Sequence, residues 1–571
     1  ARLAAVSIAL PVLSVPGGGP AAGPKASPPS VTVLWPLLDE RPRALPATDN
    51  STLLADDELA ESLAAGGRLY NLVNAVRTAT AANTDLLRSI CFAVDPDLLD
   101  TVSKMTEGYR VRTSGGKLVE GKGAQAAADW LVQVQDLTRG HCVLSVPYAD
   151  ADLSALSRAG ATDLTQLAVP SSAAITSRLL SVDPVEHVYW PAGGTFDQNT
   201  LVGLSTPGPA TILADPSHLR NVEGSAPYVV ATPQTANPVR ALPVDSLVST
   251  ALANNARTPS GDTGVSVQNG LAALAYRAAF DQRAGGQVLI APPRRWLASS
   301  TELDQFLSLA GQLFAGGFTT PLPLDQAVAA ADGGTAESIG YTAQDSGQEI
   351  PRQVTADVMR INATKRDLLD ATAADNTTQV DPNELLLPLQ YGLLRGVSTA
   401  WRGHVDGAAS TVAYIELRLN VLRDLVVVSD PGRPYSLASG DSPIPITVDN
   451  GLPVAIVVRI TLSPVPGLRP EAIQDVRIPP LASAQRYIPA EVSRSGRFTV
   501  DVRLTTPGGT PLGGDEPVRL ELNSTSYGII SVAVTGTAGA VLVLLVGVRI
   551  FRRVKAARAG APEAGEEIVQ G

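Results

Sequence analysis

Acidic residues recur just past a series of short apolar runs, and aromatic and basic residues stand among them. Asp39 and Glu40 follow Val31–Leu38. Asp95 and Asp97 follow Ser89–Val94, and Tyr148, Asp150 and Asp152 follow Cys142–Val146. Trp190 ends the run His187–Trp190, and Asp215 and His218 follow Thr211–Ala214. Asp245 follows Ala241–Pro243, and Arg294, Arg295 and Trp296 follow Gln287–Ala291. If the runs are parallel strands of a (β/α) barrel, these residues gather at the C-terminal ends of the strands, where such barrels place their active sites. Two carboxylates about 5–10 Å apart across that mouth can cleave a glycosidic bond, one as acid and one as nucleophile or base. On this reading Asp95, Asp150 and Asp215 are the candidate catalytic carboxylates. Tyr148, Trp190, Arg294 and Trp296 are the candidate ligand-binding residues, with Tyr148 and Trp190 as sugar platforms.

The same acids have a plainer reading. An Asp at the end of a strand, followed by Pro, is an ordinary helix cap with proline in the first turn. Asp95-Pro96-Asp97 and Asp215-Pro216-Ser217 both fit it, and a scaffold rule would repeat such a cap from unit to unit. The four histidines, His141, His187, His218 and His404, show no paired metal-ligand spacing. Asp215 with His218 is too thin a match for a metal-dependent deacetylase. No GxSxG nucleophile elbow occurs. No metal site and no cofactor is expected. The two cysteines, Cys91 and Cys142, fall at similar places in successive units. Neighbouring parallel strands would bring them to about 5 Å, within bridging range. A disulfide and a pair of buried thiols both fit.

Strands alternating with amphipathic stretches carry these residues from Val31 to about Ala330. A helix from Asp57 to Val76 follows the first strand, and helices over Leu271–Arg283 and Glu302–Ala315 flank the run at Gln287. Seven or eight such units over 31–333 match the size of a (β/α) barrel of glycosidase or deacetylase type. An open doubly wound sheet is the alternative, but no Gly-rich phosphate loop follows the first strand. Residues 334–430 read as a helical segment, with Val354–Asp370, Leu385–Arg395 and Ser410–Val427 as its helices. Residues 431–526 alternate apolar and polar with period two, as in Val454–Leu462, Phe498–Leu504 and Val518–Leu522. Pro/Gly turns separate these runs, so an immunoglobulin-like β-sandwich is expected. The fold class is therefore α/β plus all-β.

Gly528–Val548 is uncharged and apolar throughout, long enough to span a bilayer as a helix. Tyr527 stands at its start and Arg549, Arg552, Arg553, Lys555 and Arg558 follow it. The positive-inside rule puts this end in the cytoplasm. The expectation is a single-pass cell-membrane protein with a transmembrane helix at 527–550 and a cytoplasmic tail at 551–571. The N-terminal bulk is then extracytoplasmic. With 571 residues, a net charge of −11 and no basic stripe in the bulk, nothing points to a nucleic-acid partner. Residues 1–30 read as a connector or trimmed end. Arg2–Val15 has the basic start and apolar run of a signal-peptide core, but Pro11 interrupts it.

The ordering of these parts resembles the large exported proteins of actinobacteria encoded beside the MviN-type lipid II flippase. The resemblance rests on Leu34-Trp35-Pro36-Leu37, on Asp57-Glu58-Leu59-Ala60 with Leu63 and Gly67-Arg68-Leu69, and on Ala93 through Leu99. Val146-Pro147-Tyr148-Ala149-Asp150 and the basic-flanked anchor also carry it. It extends over nearly the whole chain, and its motifs are short. It implies a leader and a further β-domain ahead of this sequence. It assigns no catalytic residue. It implies a role in cell-envelope assembly with a polytopic partner, the flippase for peptidoglycan precursor.

Three functions follow. One is a non-catalytic accessory anchored beside an envelope complex. Another is an envelope glycan hydrolase or deacetylase using Asp95, Asp150 and Asp215. The third is a module that binds envelope glycan without turnover.

Overall fold

The computed structural model describes residues 10, 12, 23–47, 51–81, 83–231, 235–253, 266–281, 285–430, 432–437, 443–493, 496–524 and 527–558. Apart from Leu10 and Val12, the stretch Arg2–Val15 lies outside the described residues, as do the tail beyond Arg558 and the side chain of Tyr527. The chain is mixed α/β and divides into two compact units. Ala1–Lys365 and Leu386–Leu419 form one, and Arg366–Leu385 with Asn420–Gly571 form the other. The helical segment expected at 334–430 is thus not a unit of its own. Residues 334–365 and 386–419 belong with the first unit, and 366–385 and 420–430 with the second.

Among the described residues of the first unit, eight short strands run parallel within two sheets. They are β1 (Ser30–Leu37), β2 (Ile90–Val94), β3 (Cys142–Ser145), β4 (Val188–Tyr189), β5 (Ala210–Ala214), β6 (Val239–Pro243), β7 (Gln287–Ile290) and β8 (Thr320–Pro321). One sheet has the order β7-β1-β2-β3, with β8 on β1; in the other β4, β5 and β6 are neighbours, and Tyr228–Val230 extends it antiparallel. Single backbone bonds approach from one sheet to the other. Val185 N–H donates to Val143 O at 2.8 Å, and Asp245 N–H to Leu289 O at 2.7 Å. Alternate residues along these strands, such as Cys91 and Ala93, Leu144 and Val146, Val188 and Trp190, and Leu242 and Val244, collect in one apolar cluster. Period-two alternation sends every second side chain to that face.

Helices cover the outside. Pro96–Met105 begins at the Asp95 cap with Pro96 in its first turn, and Ser300–Ala315 begins with a reciprocal Ser299–Glu302 capping box. The helix expected over Asp57–Val76 is two helices, Glu58–Leu63 and Arg68–Thr80. Gly66 turns the chain between them at φ +88°, and a Cβ on Gly67 would lie 2.2 Å from the Glu61 carbonyl oxygen. The second helix is pinned by two buried indoles. Trp35 Nε1 donates to Leu72 O and Trp130 Nε1 to Leu69 O, each at 3.1 Å. Two small features had no clear signal in the sequence. One is the four-stranded sheet of Ala44–Leu45, Leu53–Leu54, Arg110–Arg112 and Leu118–Glu120; the other is the strand Tyr228–Val230. The helix ending at Ala275 continues as a π turn over Tyr276–Phe280.

In the second unit the long strands alternate as expected. Ala455–Leu462, Gly496–Thr505 and Val518–Ser524 pair antiparallel, and Ile444–Asn450 pairs with Ala482–Ile488 in a further sheet. Val500, Val502, Leu520 and Leu522 face the core. The chain enters its last helix at Tyr527. Among the described residues this is the one helix long and apolar enough to cross a membrane, over Val532–Ala556. Its apolar side chains, Leu542 and Leu544 among them, are exposed.

Candidate functional site

The strand ends of the first sheet bring Asp95, Asp97 and Asp150 together. Asp95 ends β2 and is buried. Its Oδ1 accepts the N–H of Asp97 at 2.9 Å and of Ala149 at 3.0 Å. The first bond is the helix cap; the second reaches across to the turn after β3. That turn is tight, with Ala149 at φ 57° and Asp150 at φ 47°. Two consecutive non-glycine residues in the left-handed region cost free energy that the surroundings must offset. The Asp95 bond holds one side of the turn, and the contacts of Asp150 hold the other.

Asp150 is almost fully buried. Arg294 meets it with two nitrogens, Nη2 at 2.6 Å and Nε at 3.2 Å, and Arg295 Nη2 lies 3.2 Å from its Oδ2. Thr399 donates its hydroxyl to the same oxygen. Burial alone would push this carboxyl up, but Arg294 and Arg295 beside it and the Thr399 bond hold it below the usual carboxylate range. Asp95 goes the other way. Burial, then the neighbouring Asp97 and Asp150, raise it well above that range, against the Asp97 N–H bond and Arg295. Burial and these two carboxylates thus favour the protonated form of Asp95.

Residues 395–402 supply the rest. Arg395 Nε donates to Asp97 at 2.8 Å and its Nη2 to the Tyr148 hydroxyl at 2.6 Å. Arg402 Nε donates to Asp152 at 3.0 Å, and that carboxylate also accepts the Ile350 N–H at 3.2 Å. Arg43 pairs with Asp39 at 2.7 Å. The space left among Asp39, Asp95, Asp97, Arg295 and Ser398 is about 10 Å³. That volume admits about one water and no sugar ring.

The ligand-binding residues expected from the sequence are already engaged. Tyr148 is fully buried and stacks on Tyr391 with ring centroids 4.3 Å apart. Trp190 lies under the Arg294 guanidinium at 4.5 Å, and its carbonyl accepts from Arg294 Nη1 at 2.7 Å. Trp296 is no strand-end platform. It is buried in the helix layer, edge-on to Trp35 at 5.3 Å and to Phe306 at 5.7 Å. Asp215 caps the turn after β5, accepting the Ser217 N–H at 2.9 Å and hydroxyl at 2.8 Å. Among the described residues no hydrogen bond or ion pair joins it to Asp95 or Asp150. The sulfurs of Cys91 and Cys142 are bonded, with the two residues in register between β2 and β3 and Cα atoms 4.6 Å apart. Among the described residues no three His, Cys, Asp or Glu side chains are grouped to hold a metal ion.

The residues that sequence reasoning did not pick out are Arg395, Thr399, Trp401 and Arg402. They sit where a helix ends at Gly396 and the chain turns sharply before the next helix starts at Val405. That break was the available signal.

Residues 18–563 match the profile of a family described as a family of unknown function, DUF6049. The chain belongs to that family. No curated protein matches the sequence. Among solved structures, this DUF6049 chain is similar to the α-amylase AmyC from Thermotoga maritima, at 10% identity and TM-score 0.41 over 69% of this chain and 92% of that one. It is also similar to the 4-α-glucanotransferase from Thermococcus litoralis, at 8% identity and TM-score 0.40 over 83% of this chain and 85% of that one. A GH57-type branching enzyme from Pyrococcus horikoshii aligns at 10% identity and TM-score 0.38, over 69% of this chain and 88% of that one.

Proposed function

We propose that this protein is a non-catalytic, membrane-anchored accessory of cell-envelope assembly. In this reading the two parallel sheets form one distorted (β/α) barrel whose mouth is closed by arginines. The observation that carries it is Asp150, almost fully buried and held by Arg294, Arg295 and Thr399. A catalytic base or nucleophile needs a lone pair within reach of the reacting atom; here Asp97 and Asp150 are ion-paired with Arg395, Arg294 and Arg295, and Asp95 Oδ1 accepts two backbone N–H groups. A buried carboxylate locked by two guanidiniums serves the fold, because removing either partner strands a charge.

The rest of the reading concerns placement. The β-rich second unit serves as an immunoglobulin-like stalk, and Val532–Ala556 spans the cell membrane. The arginines and lysine at its end, from Arg549 to Arg558, support a cytoplasmic end with the two units outside. The partner is a polytopic membrane protein of envelope assembly, with a lipid II flippase as the first candidate on the strength of the family resemblance. The test is purification of the intact protein from native membranes in mild detergent, with mass spectrometry of what accompanies it. Stoichiometric recovery of such a transporter is expected. Turnover of an envelope glycan by the purified chain would overturn the reading.

A further inference from the structure

A large open space at the strand ends borders the closed cluster through Arg295. It is a cleft of about 770 Å³ beyond β1 and β7, roofed by the chain from Ala400 to Gly407. Its polar lining is Glu40, Arg41, Arg295, His404 and Asp406, with Trp401 as its aromatic surface. The volume falls within the range of small-ligand sites, about 300–1,000 Å³.

Two of its walls are fixed in advance. The indole of Trp401 donates Nε1–H to Arg395 O at 2.8 Å. Its ring lies so close on the backbone of Gly407 that a Cβ there would stand 2.5 Å from it. Arg295 is held by Asp150 and by the Asp39 carbonyl, the latter at 3.1 Å, yet its side chain keeps 23% exposure. His404 and Asp406 are exposed in the same turn, and the side chain of Glu40 is 45% exposed. A rigid aromatic plane beside polar groups of both signs loses little entropy on binding. Arg41 is paired with Asp56 and Glu58, and Arg295 with Asp150, so neither guanidinium offers the cleft an unpaired charge to select an anion. Such a lining suits a ligand rich in hydroxyls with one apolar face.

We propose that this cleft binds a short uncharged saccharide stacked on Trp401, with its hydroxyls bonded to Glu40, Arg295 and His404. The site goes beyond the accessory role and requires no turnover. The test titrates the full-length chain with triacetylchitotriose and, separately, with maltotriose. It is done in a detergent without a sugar headgroup, by calorimetry and tryptophan fluorescence. Saturable binding of at least one trisaccharide is expected, weakened about tenfold by Trp401→Ala, kept within about threefold by Trp401→Phe, which preserves a ring, and weakened by His404→Ala. If Trp401→Ala does not fold, His404→Ala decides, since His404 is exposed; unchanged affinity there overturns the site. Failure of both trisaccharides to bind also overturns it. A transporter absent from the co-purification leaves this outcome unaffected, so the two proposals fail separately.

Discussion

Asp95→Asn tests the reading of the strand-end cluster most directly. The asparagine keeps an oxygen to accept the Asp97 and Ala149 N–H groups, at 2.9 and 3.0 Å in the native chain. It removes only the capacity to ionise. In the folded protein Asp95 holds its proton well above the ordinary value of 3.8, whereas the unfolded chain gives that proton up near 3.8. Above that pH the folded state therefore binds more protons than the unfolded state, and stability falls as pH rises. The loss is about 1.4 kcal/mol per pH unit, and it stops once the pH passes the raised folded value. The variant escapes this loss. Its stability relative to the native chain should rise with that slope from about pH 4 upward and then level off. All five tryptophans, Trp35, Trp130, Trp190, Trp296 and Trp401, belong to the first unit. Urea unfolding followed by tryptophan fluorescence thus reports this unit alone, and taking the difference between the two proteins at each pH cancels the other titrating groups. A difference that stays flat from pH 4 to 8 would refute the neutral-acid assignment, whatever its sign.

Two further outcomes are expected by the same assay. Arg395→Met leaves Asp97 buried without its cation and should destabilise the first unit by about 3–5 kcal/mol, with much of the loss restored when Asp97→Asn is added; a loss in the single variant that the second change leaves untouched would count against the pairing. Replacing both Cys91 and Cys142 with alanine opens a loop with a sequence separation of 51, and loop entropy puts the cost at about 4 kcal/mol; an unfolding midpoint equal to that of the native chain would show that the bond contributes nothing.

The strand that ends before Asp95 was legible because an apolar run closed by Asp-Pro is a local signal. So was the alternation in the second unit, where Val500 and Val502 face in and Thr499 faces out. Asp95 is the helix cap that the sequence suggests, and the same oxygen also accepts the Ala149 N–H from the turn after β3. What the sequence could not display is who neutralises whom. Arg395 lies 298 residues from Asp97, and Thr399 lies 249 from Asp150; no local pattern encodes such a pair. Trp296 misled for a related reason. It follows Arg294 and Arg295, which do face the cluster, but the next residue on the chain turns into the helix layer against Trp35 and Phe306. The break after Gly396 was readable, yet a polar connector between helices carries no sign of what it covers.

The long separation has a consequence for how the molecule is made. A chain emerging N-terminus first presents Asp95, Asp97, Asp150 and Asp152 long before Arg395, Thr399 and Arg402 exist outside the ribosome. Until then Asp97 and Asp152 have no cation from this segment, and Asp150 in the tight turn lacks its Thr399 bond. Loop closure over some 250–300 residues is slow relative to local contacts. The sheets and the Cys91–Cys142 pair can form early, and the segment from Arg395 to Arg402 then acts as the closing key. Completion of the first unit is thereby timed to a late stretch of the sequence, close to when the anchor helix itself becomes available.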